Sequence, residues 1–233
     1  MCPGVWVLVA CASSWSKTAT PATPSAEIGG RAESPKHQEA CAVANAEKLL
    51  GPQVRGEQLP TPYLRHGTIL RGRLETPSGV ESSYRGCAET GLNIPLGYNN
   101  GASFNRFILT AGADLATTEK RKSLVVDYLE IVLHAELLSS FDTLVKEFNL
   151  PMGKRARNTP GVKRQVRQVR DLRRKYGAAI KVADLEGQSP WRVAAYALQG
   201  NRLLRVELTL DAEGTVQVET TVLEKDLPVP MHL

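Results

Sequence analysis

The residues best suited to chemistry in this chain are the basic side chains of one segment, residues 154–175. The segment contains ten Lys or Arg and one Asp, a local net charge of +9. The whole chain carries +5, so the other residues sum to −4 and the positive charge is a local property. Clustered guanidinium and ammonium groups bind phosphates and other anions. The candidate anion-binding residues are Lys163, Arg164, Arg167, Arg170, Arg173 and Arg174.

Three interpretations of this basic segment stay open. The first is a solvated helix face with no ligand, because charged side chains usually cover the outer side of a surface helix. The second is a nucleic-acid surface, since clustered cations release counterions from a polyanion, although no RNP-type aromatics or zinc-finger spacing accompany the run. The third is a surface that contacts anionic lipid headgroups.

No other set of residues has the spacing of a catalytic or metal-binding motif. None of the four histidines, at positions 37, 66, 134 and 232, is paired at a metal-ligand spacing. The chain has no phosphate loop, dinucleotide fingerprint, G-x-S-x-G or H-E-x-x-H motif. Asp127 and Glu130 lie one helical turn apart and could form an acid pair, although solvated carboxylates are commoner there. We therefore expect no catalytic residue, no metal and no cofactor.

The basic side chains belong to a predicted helix with a signal at each end. Thr159 can cap the first turn, and Pro160 suits the first helical position, where a missing N–H costs nothing. Gly177 stands where a left-handed residue often ends a helix. An apolar stripe recurs at helical spacing between them and consists of Val162, Val166, Val169, Leu172 and Tyr176.

The N-terminus contains a short apolar run that ends in a cysteine. Leu8-Val9-Ala10-Cys11 resembles the lipobox of bacterial lipoproteins, in which the cysteine becomes the lipidated N-terminus. No Lys or Arg precedes the run, and it is shorter than an ordinary signal peptide, which a start upstream of Met1 would explain. The alternative is an apolar strand or tail that happens to end in Cys. The run is too short to span a bilayer as a helix.

The resemblance divides the chain into a signal remnant at 1–11, a flexible linker at 12–36 and a single domain at 37–233, with a subdivision near 112. The linker is rich in Ser, Thr, Ala and Pro and has no apolar period, which suits a tether. Ala12, in place of Asp, implies delivery to the outer membrane of a bacterial envelope, facing the periplasm or the surface. Cys2 would leave with the signal and Cys11 would carry lipid. Cys41 and Cys87 would then form one disulfide, or remain two buried thiols.

The pattern of the domain predicts an α+β fold. An antiparallel meander at the C-terminal end would be covered by two helices, the basic helix and a longer one, beside a smaller β-rich N-terminal part. Its strands are 191–199, 202–210 and 215–224, with a tight turn at Gly200-Asn201. Residues 178–184 are a further predicted strand. Alternating side chains also predict a strand over 68–74 paired with 80–87.

Two segments of the middle are harder to assign. Residues 92–98 and 103–110, joined by Asn99-Asn100-Gly101, are predicted to form a hairpin, with Pro95 restricting the first arm to a sheet edge. Residues 114–150 are predicted to be a helix with a kink near Ser139-Ser140. The alternative is a strand over part of 123–137 followed by a helix that Ser140 begins.

These observations favour a lipid-anchored envelope protein that acts as a non-catalytic binding or scaffold domain. Its expected partners are the membrane, acidic headgroups or glycans, and an envelope protein. One alternative is an intracellular nucleic-acid-binding protein that uses the helix at 160–176. Another is a peptidase inhibitor bridged by Cys41 and Cys87, because residues 40–51 resemble the first helix of small cysteine-bridged bacterial peptidase inhibitors.

Overall fold

A computed structural model describes residues 54–77, 79–148, 160–181 and 184–229. The lipobox, the linker, Cys41, His37 and His232 lie outside these residues. All described residues belong to one unit of the chain, Ser34–Leu233.

The first sheet is antiparallel and has its strands in chain order. They are Arg55–Gln58 (β1), Gly67–Thr76 (β2), Gly79–Ala88 (β3) and Asn93–Leu96 (β4). The predicted pairing of β2 with β3 is confirmed and extends from Gly67↔Ala88 to Thr76↔Gly79. Pro95 lies in the edge strand β4, as its missing N–H requires.

The predicted hairpin over 92–110 is wrong in its second arm, because the structure has a helix at Gly101–Ala111 (α1). Asn100 caps this helix: its side-chain oxygen accepts a hydrogen bond from the Ser103 N–H at 3.1 Å. The buried residues recur at the spacing of one helix face and are Phe104, Phe107, Ile108 and Ala111. This stripe packs into the core, and its burial outweighs the preference of the Asn-Gly sequence for a tight turn.

The predicted long helix is three elements. Residues Thr118–Leu133 form a helix (α2), Glu136–Leu137 a short strand (β5) and Phe141–Lys146 a second helix (α3). The break comes at His134, which has a left-handed φ of 49°. Ser140 begins α3, and its hydroxyl accepts a hydrogen bond from the Thr143 N–H at 3.2 Å. The helix prediction is therefore right for 118–133, and the strand-then-helix alternative is right about Ser140.

The basic helix is confirmed over Pro160–Tyr176 (α4). The strand predicted over 178–184 is wrong within the described residues, where Lys181 forms only an isolated bridge with Ser140. Ala179 and Ile180 instead donate their N–H groups to the Tyr176 carbonyl, each at 2.9 Å, so the chain still turns after the helix.

The second sheet has the order β5-β6-β7-β8 and is antiparallel throughout. Its long strands are Trp191–Gln199 (β6), Arg202–Leu210 (β7) and Val216–Glu224 (β8). Gly200 takes the positive φ of 54° that a tight hairpin turn needs. The predicted α+β class with a C-terminal meander is confirmed.

Successive residues of β7 face two different hydrophobic clusters, because side chains alternate across a strand. Leu204, Val206, Leu208 and Leu210 lie in a large cluster that also contains residues of the first sheet, α1 and α2. Leu203 and Leu198 lie in a smaller cluster with Leu172 of α4 and side chains of α3. The meander is therefore covered on opposite faces: α2 packs on one, and the basic helix packs on one end of the other.

Candidate functional site: the cationic face of the basic helix

The C-terminal end of α4 is fixed to the rest of the fold by ion pairs. Arg173 Nη2 donates to Asp142 Oδ1 at 2.7 Å, and its guanidinium lies 5.1 Å from the centroid of the Phe141 ring. Lys175 Nζ donates to Glu224 Oε1 at 2.9 Å. The hydrogen bond from Lys175 holds the pKa of the Glu224 carboxyl below its usual range. These contacts connect α4 to α3 and β8.

The six predicted anion-binding residues divide into two groups. Arg173 is paired as above, and Arg174 pairs with Asp171 on its own helix at 3.3 Å. The other four are exposed and form no ion pair with any described residue; they are Lys163, Arg164, Arg167 and Arg170. The structure therefore leaves the first half of the predicted set available for a ligand.

Helical geometry brings most of the available cations onto one side. At 100° per residue, Lys163, Arg167 and Arg170 project within about 60° of one another. Leu172 and Val169 project on the opposite side, where they pack in the smaller cluster. The cationic face, defined here as Lys163, Arg164, Arg167 and Arg170, consequently faces away from the core.

The predicted apolar stripe is not buried along its whole length. Val162 and Leu172 are buried, and Val169 and Tyr176 pack partly against the smaller cluster. Val166 is 42% exposed. The cationic face thus has an apolar side chain beside it, which is the combination that helices at a membrane surface present.

A second titratable cluster lies between the first sheet and α2. The Tyr63 hydroxyl donates to Asp127 Oδ2 at 2.6 Å, and Tyr63 is fully buried. Burial raises the pKa of Asp127 to about 6, although the hydrogen bond from Tyr63 acts in the opposite direction. Burial, and then the charge of Asp127, raises the pKa of Tyr63 well above its usual value. Asp127 is therefore a carboxyl that titrates close to neutral pH.

Glu130 has different partners from Asp127, so the two carboxyls do not form a shared acid pair. Glu130 Oε1 accepts hydrogen bonds from the Tyr84 hydroxyl at 2.8 Å and from Arg71 Nη1 at 3.1 Å. Arg71 also donates to Glu57 of β1. Burial raises the pKa of Tyr84 to about 12. These bonds attach α2 to β1, β2 and β3.

Sequence reasoning found the two carboxyls but missed their partners. Arg71 lies in the predicted strand over 68–74, whereas nothing in the local sequence of Tyr63 indicates its contact with a helix that starts more than 50 residues later. A perturbed carboxyl is a common feature of acid–base sites. Here it is bonded to a tyrosine with no exposed surface, so the bond joins the β1–β2 connection to α2.

The remaining predicted site residues lie apart from the cationic face. Cys87 is buried in β3, and its predicted partner Cys41 lies outside the described residues. Cys11, the predicted lipidation site, also lies outside them. Within the described part of the chain, no group of three or more His, Cys, Asp or Glu residues is arranged to hold a metal ion. No described helix is both long and apolar enough to cross a membrane.

Comparison of the chain with protein-family models, curated proteins and solved structures gave no match.

Proposed function

We propose that this protein is a lipid-anchored binding or scaffold domain of the bacterial envelope, without catalytic activity, and that its cationic face contacts anionic lipid headgroups. The observation that supports this most directly is the exposed set Lys163, Arg164, Arg167 and Arg170, which has no ion-pair partner among the described residues. The exposed Val166 beside it suits insertion at the headgroup boundary.

The expected binding energy of this contact is that of a weak membrane-binding element that acts together with a lipid anchor. A Lys or Arg near an anionic membrane surface contributes about 1 kcal/mol, so four contribute roughly 4 kcal/mol at most. Alone, that gives weak binding in the millimolar range. Stable attachment generally takes two signals, one of them a lipid chain. The interaction should weaken with salt, because the Debye length is only about 8 Å at physiological ionic strength.

Vesicle binding by charge-reversed variants tests the assignment to α4. The full chain would be sedimented with vesicles of phosphatidylcholine and phosphatidylglycerol at low and at physiological salt. We expect Arg167→Glu with Arg170→Glu to remove binding. The matched control is Arg192→Glu with Arg202→Glu, since both residues are exposed strand residues without an ion pair among the described residues. The control makes the same change in net charge and should leave binding nearly intact.

Two results would contradict the proposal. Equal losses in both double variants would mean that net charge, and not the cationic face, determines binding. Tighter binding to a duplex oligonucleotide than to the vesicles, abolished by the α4 variant, would favour the nucleic-acid alternative.

The anchor itself is tested by the intact mass of the protein from its native host, which should begin at Cys11 and be heavier by acyl groups. A soluble chain of unmodified mass would rule out the anchor.

A further inference from the structure

A long groove, separate from α4, lies between the first sheet and the segment that joins α2 to α3. Its volume is about 980 Å³. One wall comes from β3, including Val80 and Tyr84, and another from α2, including Val126 and Glu130. The segment around Leu137 lines a third side, and Glu147, Leu198, Gly200 and Val229 complete the lining. The groove is thus an open trough formed by several elements and not an enclosed cavity.

The charges at this groove are negative. Its described lining includes four glutamates and neither Lys nor Arg; they are Glu81, Glu130, Glu136 and Glu147. Glu130 is already bonded to Arg71 and Tyr84. The other three form no ion pair with any described residue. A ligand at this groove would therefore meet carboxylates that pair with no Lys or Arg among the described residues.

The fold disfavours the ionised form of one of these carboxylates, Glu136. Burial, and then the negative charge of Glu147, raises the pKa of Glu136 above its usual value. Both effects disfavour the ionised form of Glu136. A cation placed beside Glu136 and Glu147 would offset the repulsion between their carboxylates. The apolar part of the lining is also exposed to water: Val80 is 55% exposed and Val126 is 40% exposed. Glutamates without an ion pair among the described residues, lying beside exposed valines, are typical of one side of a protein–protein interface.

We propose that this groove binds a cationic amphipathic helix of a partner protein. The apolar side of that helix would pack on Val80, Val126 and Leu137, and its Lys or Arg side chains would pair with Glu136 and Glu147. This is the helix-in-groove mode of recognition. For a helix about 10 Å wide, a groove of this volume accommodates roughly 12 Å of length, or about two turns. The inference goes beyond the proposed function, because α4 contributes nothing to the groove.

The cationic helix of a second copy of this chain fits the groove less well. The apolar stripe of α4 is largely used within its own fold, where Leu172, Val169 and Tyr176 pack in the smaller cluster. Its outward side offers Val166 alone beside the cations. It would satisfy the glutamates but leave the valines of the groove uncovered. Charge and apolar surface together therefore favour a separate protein.

A synthetic helical peptide of Leu and Lys at amphipathic spacing is a suitable probe, labelled with fluorescein and titrated with the full chain in an anisotropy assay. Glu136→Gln with Glu147→Gln should weaken binding about tenfold, because it removes two partly exposed ion pairs with the peptide. The matched control is Glu213→Gln with Glu219→Gln, two exposed glutamates outside the groove lining. The control should change the Kd less than about twofold.

The apolar contact needs a separate variant. Val126→Ser should weaken binding of the same peptide by about fivefold to tenfold. Leu109→Ser is its control, since Leu109 is a 55% exposed residue of α1 that does not line the groove. Thermal unfolding of each variant would verify that the fold is retained. A Leu/Glu peptide of the same pattern should not bind.

Several outcomes would overturn the inference. Unchanged affinity in the groove variants, or equal losses in their controls, would place the peptide elsewhere. Binding of the Leu/Glu peptide with the same affinity as the Leu/Lys peptide would show that charge complementarity does not contribute. Self-association of the chain that disappears with Glu136→Gln and Glu147→Gln would assign the groove to a second copy. The proposed function is tested independently, because Arg167→Glu with Arg170→Glu should leave peptide binding intact and the groove variants should leave vesicle binding intact.

Discussion

Replacing Asp127 with Asn should make the protein more stable at neutral pH and barely change its stability in acid. Burial raises the pKa of Asp127 from 3.8 to about 6 in the folded state. The folded protein therefore holds a proton that the unfolded chain has already lost at intermediate pH. Asn imitates the protonated carboxyl in shape and charge, and its amide oxygen can still accept the hydrogen bond from Tyr63.

The sign and size of the effect follow from proton linkage. Well below pH 3.8 the carboxyl is protonated in both states, and its ionisation affects neither. As the pH rises through the window from 3.8 to about 6, the folded state binds more protons than the unfolded state, so the free energy of unfolding falls. The loss is complete above the folded pKa. A pKa raised by this amount corresponds to roughly 3 kcal/mol, which is an upper limit for the gain in Asp127→Asn at pH 8.

Urea unfolding of the wild type and the variant at several pH values between 4 and 8 measures this gain. The difference in unfolding free energy should be small at pH 4 and grow to about 2–3 kcal/mol at pH 8. Glu213→Gln, at an exposed carboxyl, should give no comparable growth. Tyr63→Phe should act in the opposite direction, because it removes the hydrogen bond that lowers the pKa of Asp127. A difference independent of pH, or one smaller at pH 8 than at pH 4, would refute the reasoning.

Two further predictions concern how the helices are attached. The Asn105 side chain of α1 donates to the Val216 carbonyl at 2.9 Å and accepts from the Val216 N–H at 3.0 Å. Asn105→Ala should therefore lower the urea-measured stability by about 2 kcal/mol, and no loss would mean that water replaces both bonds. At Gly86 an added Cβ would lie 2.5 Å from the Phe107 ring, so Gly86→Ala should cost about 2 kcal/mol or more. Gly97→Ala is its control, because nothing lies within 4 Å of a Cβ there, and similar losses at both positions would contradict the packing argument.

The parts of the fold that the sequence predicted correctly are those whose signals are local. The β6–β7 hairpin follows from alternating side chains on either side of Gly200-Asn201, and Gly200 has the positive φ that the turn needs. The helix α4 begins at Pro160, as expected from the helix-start signal. In both elements, residues close in sequence supply the pattern and the ends.

The wrong predictions occur where a local sequence pattern is compatible with two structures, or where contacts with distant residues determine the structure. Asn100 is predicted to lie in a hairpin turn, but an Asn side chain is equally suited to cap a helix, and Asn100 caps α1. The end of α2 depends on tertiary contacts. The Val132 carbonyl accepts from the Asn99 N–H at 2.8 Å, and the Leu133 carbonyl accepts from Gln199 Nε2 at 2.6 Å. No glycine follows the end of α2, so the neighbouring sequence does not indicate that the helix ends at Leu133.

The same distinction applies to the candidate site. Composition was sufficient to find the basic helix and its charge. It could not show that Arg173 would be used internally, because its partner Asp142 lies 31 residues earlier in the chain. Nor could it separate Glu130, which Arg71 compensates, from Glu136 and Glu147, which no described cation compensates.

The separation of charge within the fold connects the two proposals. An anionic membrane surface attracts the cationic face and repels the glutamates of the groove, so electrostatics would favour contact of the lipid with the cationic face over contact with the groove. A cationic partner helix would be the ligand of Glu136 and Glu147 at the groove. Raising the salt concentration should weaken both contacts, but the groove contact less, since Val80 and Val126 contribute apolar area that salt does not screen.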